Sequence, residues 1–226
     1  MRKFSYDFSQ YKFAELMAEA FKVDLDDLQN LHHLRPDLFV NDPALTMQWP
    51  YNEADTLFHK EFYGFLNSDK GCSLYEEFDR FIKLEISNLF TESFVYQRFP
   101  SFRKCLPMSK AVTKWHCDSD NDHGHPEGEI NFQIAITDIY GNNATWIESV
   151  PGFKDFQPIE LKQGEFAVFN GNKCIHGNKT NDTGVTRLSF DFRVIPISKY
   201  DPNSGLTSAT STKKFVVGEY YKLFKK

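Results

Sequence analysis

The period of the hydrophobic pattern changes near residue 101, and this change constrains the fold more than any other feature of the chain. Upstream of it, apolar residues recur at helical spacing. The clearest stripe consists of Phe13, Leu16, Met17, Ala20 and Phe21. Downstream, short segments alternate between apolar and polar residues, and turns rich in glycine and asparagine separate them, which is typical of β-strands. The pattern predicts a β-rich core that follows a helical region.

Two further helices are predicted upstream of residue 101. An apolar stripe runs from Phe58 to Leu66 after an acidic start at residues 52–55. Ser73 and Glu76 match a capping box, which marks the beginning of a helix. We expect these stripes to pack in the core and to carry no catalytic role.

The alternating segments predict eight strands and a class of fold. Their predicted ranges are 102–106, 112–118, 129–139, 144–150, 157–161, 166–170, 174–177 and 185–196. Such strands favour a double-stranded β-helix, or cupin-like jelly roll, buttressed by N-terminal helices. We predict one domain over residues 1–226, with mainly helical support over 1–100, the jelly-roll core over 101–196 and a C-terminal extension over 197–226.

Composition and charge argue against several classes of function. The formal net charge is −5 over 226 residues, whereas nucleic-acid binding needs clustered basic residues. No segment approaches the about 20 apolar residues of a membrane span, and no signal peptide is visible. The four cysteines lack paired spacing, as expected of reduced thiols in a cytoplasmic protein. We expect a small-molecule substrate, with the apolar C-terminal extension docking on its own domain or on a second copy in a homodimer.

Two histidines and one aspartate have the spacing of a metal site. His116 and Asp118 form an H-x-D pair, and His176 follows after a long gap. In a strand, residues i and i+2 project to the same side, so this pair can reach one ion while Cys117 points away. Two imidazoles and one carboxylate can occupy one face of octahedral Fe(II) and leave three positions open. We predict that His116, Asp118 and His176 bind iron and carry catalysis.

The strand that begins at Arg187 has one polar face, which should line a wet cavity rather than a packed core. The residues of this face are Arg187, Ser189, Asp191 and Arg193. A guanidinium fork holds a carboxylate through two charge-assisted hydrogen bonds. We expect Arg187, with the Ser189 hydroxyl beside it, to anchor the distal carboxylate of a 2-oxo diacid. The alternative for Arg187 is a structural role, and Arg193 is expected to pair with Asp191.

The substrate side of the site is predicted from two neighbouring strands. Asn131 and Gln133 share a polar strand face, and Asn131 is a candidate to bind the cosubstrate or the substrate. Gln133, Trp146 and Glu148 are candidate substrate residues, because a tryptophan beside a carboxylate suits a sugar or an amine. The alternative for each of them is packing behind the site.

An acidic loop follows the H-x-D pair and is expected at the mouth of the cavity. Its carboxylates belong to Asp120, Asp122 and Glu127. An acidic rim repels anions and concentrates cations, which favours a small polar substrate, neutral or amine-bearing, over a fatty acyl chain. The alternative is a solvated acidic turn with no role in binding.

The ordered set of ligands, with Arg187-x-Ser189 after them, resembles the non-haem Fe(II)/2-oxoglutarate-dependent oxygenases. Longer segments are similar to a bacterial branch of that family, which includes proteins linked to streptomycin biosynthesis. These segments are residues 129–132, 146–149, 169–171, 176–178 and 183–193. The likeness extends over residues 104–196, and the first hundred residues carry little of it.

The resemblance implies that 2-oxoglutarate chelates Fe(II), is anchored by Arg187 and is decarboxylated with O2 to succinate and CO2. Hydroxylation of a substrate C–H bond is the usual outcome. Related halogenases lack the carboxylate ligand, so the presence of Asp118 favours a hydroxylase. The alternative is a cupin-like, metal-dependent isomerase or binding protein without oxygen chemistry, which would not need Arg187.

Overall fold

The computed structural model describes residues 1–46, 55–111, 114–209 and 211–226. Its α-helices in those ranges are α1 (Phe13–Phe21), α2 (Leu31–Leu34), α3 (Pro43–Thr46), α4 (Leu57–Leu66) and α5 (Ser73–Leu84). The apolar stripe predicted for α1 is buried as expected. No helix among the described residues is long and apolar enough to cross a bilayer.

The predicted capping box at Ser73 is wrong. Cys72 occupies the N-cap position of α5 without a side-chain cap, and Ser73 is already the first helical residue. The Ser73 hydroxyl donates a hydrogen bond back to the carbonyl oxygen of Lys70. The Ser73 hydroxyl therefore bonds to the preceding turn, and not to the N-terminus of the helix as the sequence pattern predicted.

The strands form two antiparallel sheets. They are β1 (Arg2–Ser5), β2 (Phe94–Gln97), β3 (Ser101–Cys105), β4 (Ile130–Ala135), β5 (Thr145–Ile147), β6 (Gln157–Pro158), β7 (Glu165–Phe169), β8 (His176–Asn178), β9 (Arg187–Pro196) and β10 (Tyr221–Phe224). The larger sheet has the order β1-β7-β4-β9-β2-β10, with β3 also paired to β9, and the smaller sheet has the order β6-β5-β8. The mostly antiparallel core with helical support is confirmed.

Three strands and one irregular segment depart from the prediction. β1 and β2 lie within the first hundred residues, so that region is not helical throughout, and β10 lies in the C-terminal extension. Of the predicted strand 112–118, residues 112–113 lie outside the described residues. The remainder makes a single β-bridge, between His116 and His176, instead of a regular strand.

The helices pack on one face of the larger sheet, and this leaves the other face to form a cavity. The Phe13 ring lies 5.7 Å from that of Phe190, and the Phe78 ring lies 5.1 Å from that of Phe192, measured between centroids. Because side chains alternate along β9, its apolar members face the helices. Its polar members, which include Arg187, face a cavity lined by both sheets.

The C-terminal extension docks on its own chain, one of the two outcomes that the sequence predicted. After β9 a 3-10 turn at Ile197–Lys199 leads into a loop, and β10 then pairs antiparallel with β2. Phe215 and Tyr221 are buried in a small cluster with residues of β2 and β9. β10 thereby extends the larger sheet by one strand.

Candidate active site

Backbone hydrogen bonds bring the three predicted ligands together. The amide of His116 donates to the carbonyl of His176 (3.0 Å), and the amide of His176 donates to the carbonyl of His116 (2.8 Å). The amide of Asp118 donates to the carbonyl of Gly171 (2.9 Å), just beyond β7. Main-chain contacts, rather than side-chain contacts alone, therefore fix where the ligands lie.

The side chains of this triad fit a single metal ion. Nε2 of His116 lies 3.6 Å from Oδ1 of Asp118, and Nε2 of His176 lies 3.7 Å from the same oxygen. One candidate ligand atom from each residue lies within 4.8 Å of the others. Ligand atoms at about 2 Å from an ion are separated by such distances. The sequence thus placed these three residues together correctly.

Each histidine is also held in the tautomer that a metal requires. Nδ1 of His116 lies 2.8 Å from the carbonyl oxygen of Lys114, and Nδ1 of His176 lies 3.1 Å from that of Cys174. A carbonyl oxygen only accepts hydrogen bonds, so Nδ1 carries the proton and the lone pair lies on Nε2. Both Nε2 atoms face Asp118, as ligands of one ion would.

The charge states of the triad suit a divalent cation. Burial lowers the pKa of His176 to about 4, against the opposing effect of Asp118, so its imidazole is neutral at neutral pH. Burial alone would raise the pKa of Asp118, but the charge of Arg193 and the hydrogen bond that Arg193 donates hold that pKa well below its ordinary value. The site therefore offers a carboxylate and a neutral imidazole from these two ligands.

The two oxygens of Asp118 have different surroundings. Oδ1 faces the histidines, whereas Oδ2 accepts hydrogen bonds from Nδ2 of Asn131 (2.7 Å) and Nε of Arg193 (2.8 Å). Asn131, predicted to contact the cosubstrate or the substrate, lines the cavity and holds the metal ligand through its amide nitrogen. Its side-chain oxygen is buried and has no hydrogen-bond partner among the described residues.

The predicted pairing of Arg193 with Asp191 is wrong. Nε of Arg193 lies 2.8 Å from Asp118 and 3.6 Å from Oε2 of Glu129. Both carboxylates are buried, at 1% and 3% exposure of the residue. A buried guanidinium needs compensating charge, and these two buried carboxylates supply it. Asp191, which is less buried, accepts hydrogen bonds from Gln133 and Ser189 instead.

Arg187 lines the same cavity as the triad and is a buried cation without a counter-charge among the described residues. It is 1% exposed. Nε donates to the carbonyl oxygen of Asn143 (3.1 Å) and Nη1 donates to Oγ of Ser189 (2.8 Å). No carboxylate of a described residue lies within 4.0 Å of its guanidinium. An unpaired buried charge is costly, so this position suits an anionic ligand group.

The predicted substrate residues lie in different places. Gln133 donates to Oγ1 of Thr145 (3.3 Å) and Oδ1 of Asp191 (3.1 Å), and both of these partners line the cavity. The Gln133 side-chain oxygen is buried and unpartnered within the described ranges. Trp146 follows Thr145 on β5, so strand alternation directs it away from the cavity. Lys179 instead lies against its ring, with Nζ 3.2 Å from the centroid.

Glu148, predicted as a substrate residue, holds a loop. Its carboxylate accepts backbone hydrogen bonds from the amides of Ile175 (2.7 Å), Gly152 (2.9 Å) and Lys154 (3.0 Å). Although burial opposes the charge, these amides lower the pKa of Glu148 below its ordinary value. The carboxylate is thus committed to backbone donors, and it does not line the cavity around the triad.

Sequence reasoning missed Arg103, which lines the cavity from β3. Its Nε lies 3.7 Å from Oδ2 of Asp191. Its strand was correctly predicted, but the register that pairs it with Ser189 of β9 is seen only in the structure. Cross-strand partners project to the same face of a sheet, so this pairing puts the Arg103 guanidinium on the cavity side.

The carboxylates of the acidic loop have partners within the described part of the chain. Asp122 pairs with Lys114, and Oε1 of Glu127 lies 2.5 Å from Nζ of Lys173. Asp120 accepts a hydrogen bond from the amide of His123 (2.9 Å). Neighbouring lysines therefore offset part of the charge of Asp122 and Glu127, which weakens the expected attraction for cationic substrates.

Comparisons with known proteins agree with this site. No family model matches the chain. The streptomycin biosynthesis protein StrG of Streptomyces griseus is 33% identical over 217 residues, which cover 96% of this chain and 94% of StrG. The chain belongs to the non-haem Fe(II)/2-oxoglutarate-dependent oxygenases. Within that family it lies in the branch that includes StrG, so the resemblance seen in the sequence is confirmed.

Two further comparisons found proteins whose names include the cofactors. The Fe(II)/2-oxoglutarate-dependent dioxygenase nvfF of Aspergillus novofumigatus is 30% identical over 98 residues, 38% of this chain and 33% of nvfF. Among solved structures, CytC3 with Fe(II) and α-ketoglutarate is 18% identical with a TM-score of 0.46, covering 86% of this chain and 74% of CytC3. The cofactor of the family is Fe(II), with 2-oxoglutarate and O2 as cosubstrates, and the triad of His116, Asp118 and His176 provides suitable iron ligands.

Proposed function

We propose that this oxygenase hydroxylates a C–H bond of a small polar metabolite and releases succinate and CO2. The observation that carries the proposal is Arg187, a buried guanidinium in the cavity of the triad with no carboxylate partner among the described residues. A metal-binding cupin without oxygen chemistry has no need of such a cation. The distal carboxylate of 2-oxoglutarate would supply the missing charge.

The residues that line the cavity have separate roles in the proposed reaction. Iron held by the triad would supply the activation of O2, the oxidant that takes two electrons from 2-oxoglutarate and two from the substrate. Arg187 orients the cosubstrate by its far end, and Ser189 fixes the guanidinium through the hydrogen bond to Nη1. Backbone carbonyls accept the Nδ1 protons of His116 and His176, which leaves the lone pair of each Nε2 available to the metal. Asp118 occupies the ligand position that halogenating relatives leave open, which favours hydroxylation.

Two observations support the proposed substrate class. Arg103, Asp191, Thr145 and Asn178 add polar groups to the cavity lining, which disfavour a long apolar chain. StrG is named for streptomycin biosynthesis, and we propose a sugar, aminocyclitol or amino-acid derivative as substrate. We propose further that the two sheets form the double-stranded β-helix of the family, with the substrate entering between them.

A metabolite screen scored by succinate release tests this proposal. With Fe(II) and 2-oxoglutarate held constant, we expect a sugar, aminocyclitol or amino-acid derivative to raise succinate release well above the substrate-free rate. A matched reaction without Fe(II) corrects for background. Turnover of fatty acyl compounds alone would contradict the substrate class. No release with any compound, together with a melting temperature that 2-oxoglutarate does not change, would favour a binding protein.

A further inference from the structure

The C-terminal segment, residues 215–224, lies against the back of the metal site. Phe215 and Tyr221 are fully buried there, and Tyr220 is nearly so. The Phe215 ring also lies 4.7 Å from that of His125, in the loop that follows Asp118. A terminal extension that only covered the sheet would have no need of contacts with this loop.

Polar contacts extend from the segment toward the metal ligand. The hydroxyl of Tyr221 donates to Oε1 of Glu129, and Nδ1 of His125 lies 2.8 Å from Oε2 of the same carboxylate. Burial and the charge of Glu129 raise the pKa of Tyr221, so the phenol keeps the proton that it donates. Nη1 of Arg193 lies 3.5 Å from the hydroxyl of Tyr220. Tyr220 thus contacts the guanidinium of Arg193, which holds Asp118, and Tyr221 contacts the Glu129 carboxylate beside that guanidinium.

The charges in this network explain why Glu129 is needed. Arg193 holds Oδ2 of Asp118 through its Nε at 2.8 Å. Alone, its charge would offset that of Asp118 and weaken the attraction of the site for a divalent ion. Glu129 lies 3.6 Å from the same guanidinium and balances it. Asp118 can then contribute its negative charge to the metal while Arg193 fixes its orientation.

We propose that the C-terminal segment completes the metal centre. Tyr221 positions Glu129, Tyr220 contacts Arg193, and these two charged residues fix the outward oxygen of Asp118. The tyrosines and Glu129 are positioning residues, since none of them belongs to the ligand triad. Partners of metal ligands commonly change metal affinity about 10- to 100-fold when removed. The inference concerns metal binding alone and holds whatever the substrate is.

Co(II) titration of the full chain tests the inference without any turnover. Visible absorption reports the coordination geometry and calorimetry reports the affinity. We expect Glu129→Gln to weaken Co(II) binding about 10- to 100-fold and Tyr221→Phe to weaken it by up to about tenfold, with altered Co(II) spectra in both. Tyr200→Phe is the matched control, because Tyr200 packs on Tyr221 but its hydroxyl accepts from the amide of Val217. Its affinity and spectrum should equal those of the wild type.

Two results would overturn the inference. One is Co(II) affinity within about twofold of the wild type, with an unchanged spectrum, in Tyr221→Phe, whatever the effect of Glu129→Gln. The other is an equal loss in Tyr200→Phe, which would assign the effect to packing of the segment. Tyr221→Phe keeps the buried ring, and circular dichroism checks that the variant is folded. Because wild-type Co(II) binding requires no substrate, failure of the proposed hydroxylation would leave this test unaffected.

Discussion

Asp118→Ala should abolish iron loading and activity while the protein remains folded. Asp118 is the carboxylate of the triad, and its loss leaves two imidazoles, a weak bidentate site for Fe(II). We expect the dissociation constant for Fe(II) to rise by more than about 100-fold, beyond the effect of removing a partner of a ligand. Glu129 still balances Arg193 in this variant, so the fold should survive with a lowered melting temperature.

Cys117→Ser is the control for this prediction. Cys117 lies between His116 and Asp118 in the sequence but is absent from the group of ligand atoms that face one another. The variant should load iron and turn over as the wild type does. Full activity in Asp118→Ala, or loss of iron in Cys117→Ser, would contradict the assignment of the triad. Calorimetric titration with Fe(II) under anaerobic conditions measures both variants.

Arg187→Leu should raise the Michaelis constant for 2-oxoglutarate by one to several orders of magnitude. A hydrogen bond to a charged group contributes about 1.5–3 kcal/mol, and each 1.4 kcal/mol changes affinity about tenfold. The guanidinium can make two such bonds to a carboxylate. Leucine fills similar space and leaves no buried charge behind, so the fold should be retained. Initial rates at varied 2-oxoglutarate give the value.

A cosubstrate without the distal carboxylate separates anchoring from general damage to the site. The wild type should strongly prefer 2-oxoglutarate to 2-oxopentanoate, and Arg187→Leu should lose most of that preference. Arg193→Leu provides the comparison, because Arg193 contacts the metal ligand and should affect metal affinity first. If Arg193→Leu shows the cosubstrate defect and Arg187→Leu does not, then Arg193 and not Arg187 anchors the cosubstrate.

The metal ligands could be predicted from the sequence because local spacing determines most of their geometry. His116 and Asp118 are two residues apart, and their side chains reach one point whether the backbone forms a full strand or a single bridge. The polar face of β9 was predictable for a similar reason, since strict alternation along ten residues puts its polar side chains on one face and its apolar side chains on the other. Arg187 therefore lies on the expected face.

Contacts between distant segments could not be predicted. Arg193 was assigned to Asp191, its neighbour on the same strand face, but its partners come from residues 75 and 64 positions earlier in the chain. Glu148 resembled a substrate residue until three backbone amides from two other segments were seen to surround it. β1, β2 and β10 likewise depend on pairing with remote strands. Sequence patterns report periodicity and not such partners.

An incubation with ¹⁸O-labelled O2 tests the central claim most directly. With Fe(II), 2-oxoglutarate and the metabolite that gives most succinate in the screen, mass spectrometry follows both products. A hydroxylase of this family puts one oxygen atom of O2 into succinate and the other into the new hydroxyl group, with equal amounts of the two products. We expect that result. Loss of 2-oxoglutarate without labelled succinate, or an iron-loaded enzyme that consumes neither O2 nor 2-oxoglutarate with any metabolite, would contradict it.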